Sequence, residues 1–364
     1  MSSNGLTESE DAPATQKQVR VWVDGCFDMV HFGHANALRQ AKLMGDILVV
    51  ALHSNADITA HKGLPVTTEE ERYKMIRAIK WVDEVIEDIP CYTSVELLEK
   101  HNCDICAHGD DFAANADGVD SYAAVKTAGK YREYKRTEGV STTDLLQRLL
   151  QMTQQHLCAN GCDPHNEGNK FLASSKLITE FMGPETREPS SGDTVVYVAG
   201  SFDLFHAGHI DFLQKCREVG NFIIVGLHSD REVNRYEGRS YPIMSLQQRV
   251  LSVLACKYVS DVIIGAPYTV TESMLDNLKV DYVLHGQTPV YPNKDGSDPY
   301  EAPKTRGIYR TIESGSALTT DVILQRIYEH RLEYIRRNSA KEAKEERVLE
   351  SLKKRRDSAR VANV

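Results

Sequence analysis

The chain has 364 residues, 41% of them hydrophobic and 26% charged, with a formal net charge of −9, which reads as a water-soluble globular protein long enough for two domains. The acidic balance excludes a protein built to wrap nucleic acid, and no apolar run approaches a membrane span; the strongest, around residues 47–52, is strand-sized. Residues 1–17 are polar and acidic, without the basic and apolar regions of a secretion signal, and are expected to be the disordered start of a cytoplasmic protein.

Residues 18–150 alternate in pattern. A short β-branched run, Val21–Val23, leads through a glycine turn into a helix-like stretch, His34–Met44. The next run, Asp46–Leu52, is nearly all apolar, as a parallel strand covered on both faces requires. A charged helix over Thr68–Ile79, a strand at Glu84–Ile86, a helix at Ser94–Lys100, a strand at Asp104–His108 and a helix at Asp144–Leu150 follow. Such alternation predicts a doubly wound, Rossmann-like α/β domain with a parallel sheet and a ligand at the carboxyl ends of its strands. Residues 151–192, rich in Gln, Asn, Gly, Pro and Ser, read as a partly ordered linker.

Residues 193–330 write the same unit again. Val21–Asn36 (VWVDGCFDMVHFGHAN) and Val196–Asp211 (VYVAGSFDLFHAGHID) agree at eight of sixteen positions. Arg72 then pairs with Arg249, His108-Gly109 with His285-Gly286, and Thr142-Thr143-Asp144 with Thr319-Thr320-Asp321. A whole domain has been duplicated. Residues 331–364 are a charged helix-former, with eleven Lys/Arg against six Asp/Glu between 331 and 360 and no large apolar residue from Arg336 to Arg347. A solvated helix packed near its start is expected, with a weak membrane-surface contact as the lesser alternative.

The eight cysteines are scattered and are expected to be reduced thiols. Cys103-x-x-Cys106 and the group His156, Cys158, Cys162 and His165 are weak metal patterns, and no protein-held metal is expected.

Four features of the first copy fall where this fold gathers its ligand. Gly25-Cys26-Phe27-Asp28 and His31-Phe32-Gly33-His34 run from a strand end into a helix start, which offers N–H groups and a positive dipole to phosphate. Gly33 is expected to let the backbone approach a ligand closely, and the two imidazoles to donate to a phosphate oxygen as charge builds up. Arg136-Thr137, Gly139 and Ser141-Thr142-Thr143 form a second anion site before a helix. Lys62 lies in a glycine-bearing loop. His108-Gly109-Asp110 marks another strand end, suited to a base or a substrate amine.

GCFDMVHFGH, ERYKMIRAIKWVDEV, HGDD and RTEGVSTT, in this order, resemble the cytidylyltransferases that activate phosphocholine, phosphoethanolamine and glycerol 3-phosphate. The resemblance covers nearly all of the first copy. The tandem arrangement resembles the phosphoethanolamine branch and implies transfer of CMP from CTP to phosphoethanolamine, with phosphocholine or another small phosphorylated alcohol as the alternative acceptor. It further implies that His31 and His34 stabilise the α-phosphate transition state, that Lys62 and Arg136 hold the triphosphate and Ser141–Thr143 the pyrophosphate, and that Mg²⁺ enters with CTP. Single-domain relatives pair, so the two copies are expected to pack as an internal pseudo-dimer, a homodimer staying open.

Asp28, Asp110 and Trp81 are candidates for reading the substrate amine. The second copy keeps Val198-Ala199-Gly200-Ser201-Phe202, His206-Ala207-Gly208-His209, His285-Gly286-Gln287 and Ser316-Ala317-Leu318-Thr319-Thr320, which suit a cytidine nucleotide. It departs at Glu237, opposite Lys62, and in its arginine loop, where counting from Arg310 gives three extra residues. Slow or absent turnover is expected there.

Overall fold

Strand β1 (Arg20–Gly25) shows why the two faces of the sheet have different fates. Val21 and Val23 point into one apolar layer and Trp22 into another, and all three are buried. The same alternation runs along β2 (Ile47–His53), where Leu48, Val50 and Leu52 join Val21, while Val49 and Ala51 join Trp22. The computed structural model describes residues 17–111, 120–155, 171–183, 187–238, 241–343 and Arg347. Residues 1–16, the cysteine and histidine group at 156–165 and the rest of the tail lie outside the described residues.

The first half continues through α1 (Phe32–Lys42), α2 (Asn55–Lys62), α3 (Glu69–Arg77), β3 (Glu84–Ile89), α4 (Val95–Lys100), β4 (Ile105–Gly109), α5 (Ala123–Thr127), β5 (Tyr131–Tyr134) and α6 (Thr142–Gln155). Its five strands are parallel in the order β3-β2-β1-β4-β5, so the chain reverses direction beside β1 and opens a crevice between the ends of β1 and β4. After α7 (Phe171–Met182) the second half runs β6 (Val195–Gly200), α8 (Ala207–Val219), β7 (Phe222–His228), α9 (Asp230–Glu237), α10 (Leu246–Leu254), β8 (Asp261–Ala266), α11 (Glu272–Asn277), β9 (Tyr282–His285), α12 (Glu301–Thr305), β10 (Tyr309–Thr311) and α13 (Thr320–Glu329). Its order, β8-β7-β6-β9-β10, repeats the first.

One apolar cluster contains Val21, Leu38 and Ile76 together with Val196, Leu213 and Leu251, so the halves share a core. At its centre the backbones exchange equivalent bonds: Lys80 N donates to Ala255 O at 2.9 Å, and Lys257 N to Ala78 O at 2.8 Å. This reciprocity is that of a two-fold interface built inside one chain.

The stretch read as a linker contributes to that core. Phe181 on α7 is fully buried and meets Trp81 edge-on at 5.1 Å, a site where truncation to alanine costs about 3–5 kcal/mol. Trp81 is thereby committed to the core between the halves and is no reader of a substrate amine. The tail helix packs at its start, as expected, and its contacts continue beyond the start. Residues 331–343 are helical, and Tyr334, Arg337, Asn338 and Lys341 fall on one face at helical spacing. That face lies on the first half: Tyr334 OH donates to Pro65 O at 3.3 Å, Arg337 pairs with Asp28 at 3.1 Å, and Lys341 Nζ donates to Thr143 Oγ1 at 2.7 Å.

Candidate active site

Each histidine of the first motif does two things at once. His31 is the N-cap of α1: Gly33 N donates to His31 Nδ1 at 3.1 Å, and His31 N donates to His34 Nδ1 at 3.3 Å. A nitrogen that accepts from a backbone N–H carries no proton of its own, so each neutral ring holds its proton on Nε2. The rings stack at 3.9 Å. Burial, with Arg136 and Lys341 nearby, keeps both neutral: His31 is pushed well below the usual histidine range, and His34 down to about 4 although Asp28 opposes the shift. His31 Nε2 is buried without a partner. A buried donor left unpaired costs about 1–3 kcal/mol, and a ligand oxygen would recover it.

Gly33 has a different task from the one its position suggests. A Cβ there would meet Val140 at 2.7 Å and the His31 ring at 2.9 Å, so the missing side chain lets the Arg136–Thr143 loop pack on the helix start. Gly208 does the same against Leu318 O.

The loop between β1 and α1 is held in an unfavourable backbone region. Phe27 and Met29 both have φ near +49°, and Phe202 and Leu204 repeat this at +47° and +44°. Two buried charges hold it. Arg72 donates to Cys26 O, His53 O and Asn55 Oδ1, each at 2.8 Å. Asp28 accepts from Val66 N, Thr67 N and Thr67 Oγ1 at 2.9–3.1 Å. Committed to these donors and already neutralised by the Arg337 guanidinium, Asp28 builds the loop and does not read an amine.

Around this frame stand the other expected residues. Lys62 ends α2 before Gly63, whose φ of +88° turns the chain. The Cys26 sulfur raises the lysine pKa against the opposing effect of burial, so it is charged at neutral pH. Asn36 Nδ2 donates to Thr137 Oγ1, Gly139 turns the loop with φ +79°, Ser141 caps α6 through Asp144 N, and Thr142 Oγ1 donates to Asp28 O. Arg136 is exposed in the loop that leads to α6. Its N–H donates to Asp110, and its guanidinium reaches Asp111 at 3.4 Å. Asp110 therefore shapes the arginine loop. His108 is the penultimate residue of β4, with Nδ1 bonded to Gly109 O and its ring 4.5 Å from Tyr122.

Sequence reasoning missed Asp24, on β1 just before Gly25. Its acid is buried, accepts from Thr93 Oγ1 (2.8 Å), Tyr122 OH (3.1 Å) and Trp22 Nε1 (3.3 Å), and has His53 Nε2 at 3.8 Å. All three bonds come from neutral groups. The available signal was the mismatch with Ala199 between the matching Val23/Val198 and Gly25/Gly200.

The second copy reproduces the frame. His206 and His209 form the same reciprocal cap, with burial first in both cases pushing His206 down to about 3 and His209 well below the usual histidine range. Arg249 donates to Ser201 O, His228 O and Asp230. Asp203 receives Ile243 N and Met244 N. Val198, Ala199 and Gly200 end β6, Ala207 and Gly208 open α8, and His285 bonds Gly286 O ahead of Gln287 as His108 bonds Gly109 O.

Register corrects the last part of the alignment. Cys106 pairs with Tyr131 where Val283 pairs with Tyr309, and Leu284 pairs with Arg310 where Ala107 pairs with Arg132. Thr142 Oγ1 reaches Asp28 O as Thr320 Oγ1 reaches Asp203 O, and Ser141 and Thr319 are the matching caps. Arg310 is thus the counterpart of Arg132, Ser314 stands for Arg136, Asp321 stands for Thr143, and the loop through Ser316, Ala317 and Leu318 carries no insertion. Glu237 ends α9 as Lys62 ends α2, and partial desolvation of its carboxyl raises its pKa to about 7 although the residue reaches the surface.

Residues 22–148 and 197–349 each match the cytidylyltransferase-like family. The chain is similar to the ethanolamine-phosphate cytidylyltransferase of Mus musculus, at 51% identity over 94% of this chain and 93% of that one. Its similarity to the Dictyostelium discoideum protein of the same name is 45%, over 92% and 98%. Choline-phosphate cytidylyltransferase 2 of Arabidopsis thaliana is 41% identical over 62% of this chain and 82% of its own. With both halves matched and the same frame built twice, the chain belongs to the cytidylyltransferase-like family.

Proposed function

We propose that the protein transfers CMP from CTP to phosphoethanolamine, giving CDP-ethanolamine and pyrophosphate, at the first of its two sites. The observation that carries the reading is the pair of neutral imidazoles whose Nδ1 atoms are tied to the backbone, so that both rings offer Nε2–H donors at a helix start. The acceptor phosphate attacks the α-phosphorus in line; one P–O bond forms, the bond to the β-phosphate breaks, and no proton has to move. His31 and His34 donate to the α-phosphate oxygens as charge accumulates, an effect worth about 3–4 kcal/mol per lost donor. Arg136, Lys62 and the start of α6 hold the departing pyrophosphate.

Mg²⁺ enters as part of the nucleotide substrate. Among the described residues, no group of three or more His, Cys, Asp or Glu side chains is gathered to hold an ion. Asp24 meets the ammonium of the acceptor: a buried acid with neutral bonding partners suits a compact primary ammonium, which can donate to it, better than a trimethylammonium, which cannot. The names of the Mus and Dictyostelium relatives support the same acceptor. The second site holds a cytidine nucleotide weakly and turns over slowly or not at all. The described cysteines are all unbridged thiols, in keeping with work in a reducing cytoplasm. No helix among the described residues is long and apolar enough to cross a membrane.

The test is pyrophosphate release from CTP with phosphoethanolamine, phosphocholine or glycerol 3-phosphate. Phosphoethanolamine is expected to have the highest kcat/KM, and equal or better use of phosphocholine would overturn the acceptor assignment.

A further inference from the structure

The tail helix over 331–343 belongs in sequence to the end of the second half, yet its inward face touches the first site at three successive points. Tyr334, 1% exposed, seats it on Pro65. One turn on, Arg337 sends both terminal nitrogens to Asp28 Oδ2 at 3.1 Å and a further bond to Leu64 O at 2.5 Å. Asp28 is the acid that pins Val66 and Thr67, just beyond the Lys62 turn. One turn further, Lys341 Nζ reaches Thr143 Oγ1 at 2.7 Å, in the first turn of α6. Arg326, in the preceding helix α13, adds a two-pronged bond to Glu71, the residue that closes the capping box of α3.

We infer that Lys341 is a phosphate-binding residue of the first site, delivered across the molecule by the tail helix to hold the β- and γ-phosphates of CTP beside Thr143. The inference rests on the reading of the first site as the CTP site. It is carried by geometry: an ammonium sits on a hydroxyl at the N-terminal turn of a fourteen-residue helix, where that helix presents unpaired N–H groups and its dipole. Tyr334 and Arg337 fix the two turns before it. Its charge is also felt at both catalytic imidazoles, where it helps to keep His31 and His34 neutral. Alongside Lys62 and Arg136, it makes a third cation around the expected triphosphate. In the second copy Asp321 occupies the place of Thr143 and accepts from Tyr241 OH at 2.5 Å.

The experiment uses the full chain with Lys341→Met, Lys341→Arg and Arg336→Met. Arg336 is exposed on the far side of the same helix, so it controls for the loss of one positive charge. CTP and CMP binding are measured by calorimetry, and turnover by pyrophosphate release. Lys341→Met is expected to weaken CTP about tenfold and CMP less than about threefold, with Lys341→Arg losing less CTP affinity than Lys341→Met and Arg336→Met near the parent, since the removed contact is to the distal phosphates. Unchanged CTP affinity in Lys341→Met, an equal loss of CMP, or an equal effect of Arg336→Met would overturn the inference. Failure of the parent protein to turn over phosphoethanolamine would instead count against the proposed reaction, and the CTP-against-CMP contrast would still decide the role of Lys341.

Discussion

The two copies share a skeleton of polar contacts and differ in the charges set upon it. The matched pairs are Asp28 and Asp203, Arg72 and Arg249, Thr142 and Thr320, and the two histidine caps. Every one of these holds a loop in place. The mismatched pairs are Asp24 against Ala199, Lys62 against Glu237, Arg136 against Ser314 and Thr143 against Asp321. Two cations become an anion and a neutral hydroxyl, and a hydroxyl becomes an acid. Repetition inside this chain therefore reports the frame, the histidine caps included, while its departures set which copy keeps the charges that a triphosphate needs. A binding surface can lose its fit for a triphosphate with almost no change in backbone.

The sharpest way to break the comparison is to remove the same nitrogen from each copy. His31→Asn keeps an oxygen able to accept from Gly33 N, as an N-cap asparagine does, but takes away the Nε2–H. Turnover should fall by a factor of about 10²–10³, whereas His206→Asn should leave it within about twofold. Equal losses measured by pyrophosphate release would mean that both copies catalyse. A smaller effect comes from rewriting the second copy. In a His31→Asn background, Glu237→Lys with Ser314→Arg should raise the CTP affinity of the second site by about tenfold, as two charge-assisted bonds are supplied. Calorimetry showing no gain would remove charge as the difference between the copies.

The smallest effect is on pH. Partial desolvation first, with Asp203 and Asp321 acting in the same direction and Ser201 and Arg249 opposing, holds the Glu237 acid up to about 7. It is anionic above that pH and neutral below, so nucleotide binding at the second site should strengthen about threefold as pH falls from 8 to 6. Titration of a Glu237→Gln variant should be flat over the same range, and a parent protein equally flat would show that Glu237 does not face the nucleotide.

The histidine motif, the alternation of strands and helices and the duplication were legible because each is written in neighbouring residues. Lys62 against Glu237 was legible for the same reason. The arginine loop was not. Matching the arginines put Arg136 opposite Arg310, with three residues left over before the Thr-Thr-Asp triplet, while the ladder between β9 and β10 makes Arg310 the counterpart of Arg132 and so puts Ser314 opposite Arg136; identity of letters competed with backbone register, and register sets which side chain faces the site. Gly33 looked like a point of ligand approach because the residue across from it, Val140, is more than a hundred positions away. Asp24 was hidden by its partners, Thr93 and Tyr122, which come from separate loops. Phe181 lay in a polar stretch whose composition masked one short apolar helix.

The ion pair between Asp28 and Arg337 joins residues 309 positions apart. Closing so long a loop costs roughly 2 kcal/mol more entropy than closing one of about thirty residues, so the pair gains nothing until both halves have folded and docked. During synthesis the first half leaves the ribosome with its histidines in place well before Arg337 exists. The amides of Val66 and Thr67, bonded to the same carboxylate, sit where such late closure would register. Their hydrogen exchange should open together with the tail helix and lag behind the completion of β1 and β2, making this loop the last piece of the first half to become native.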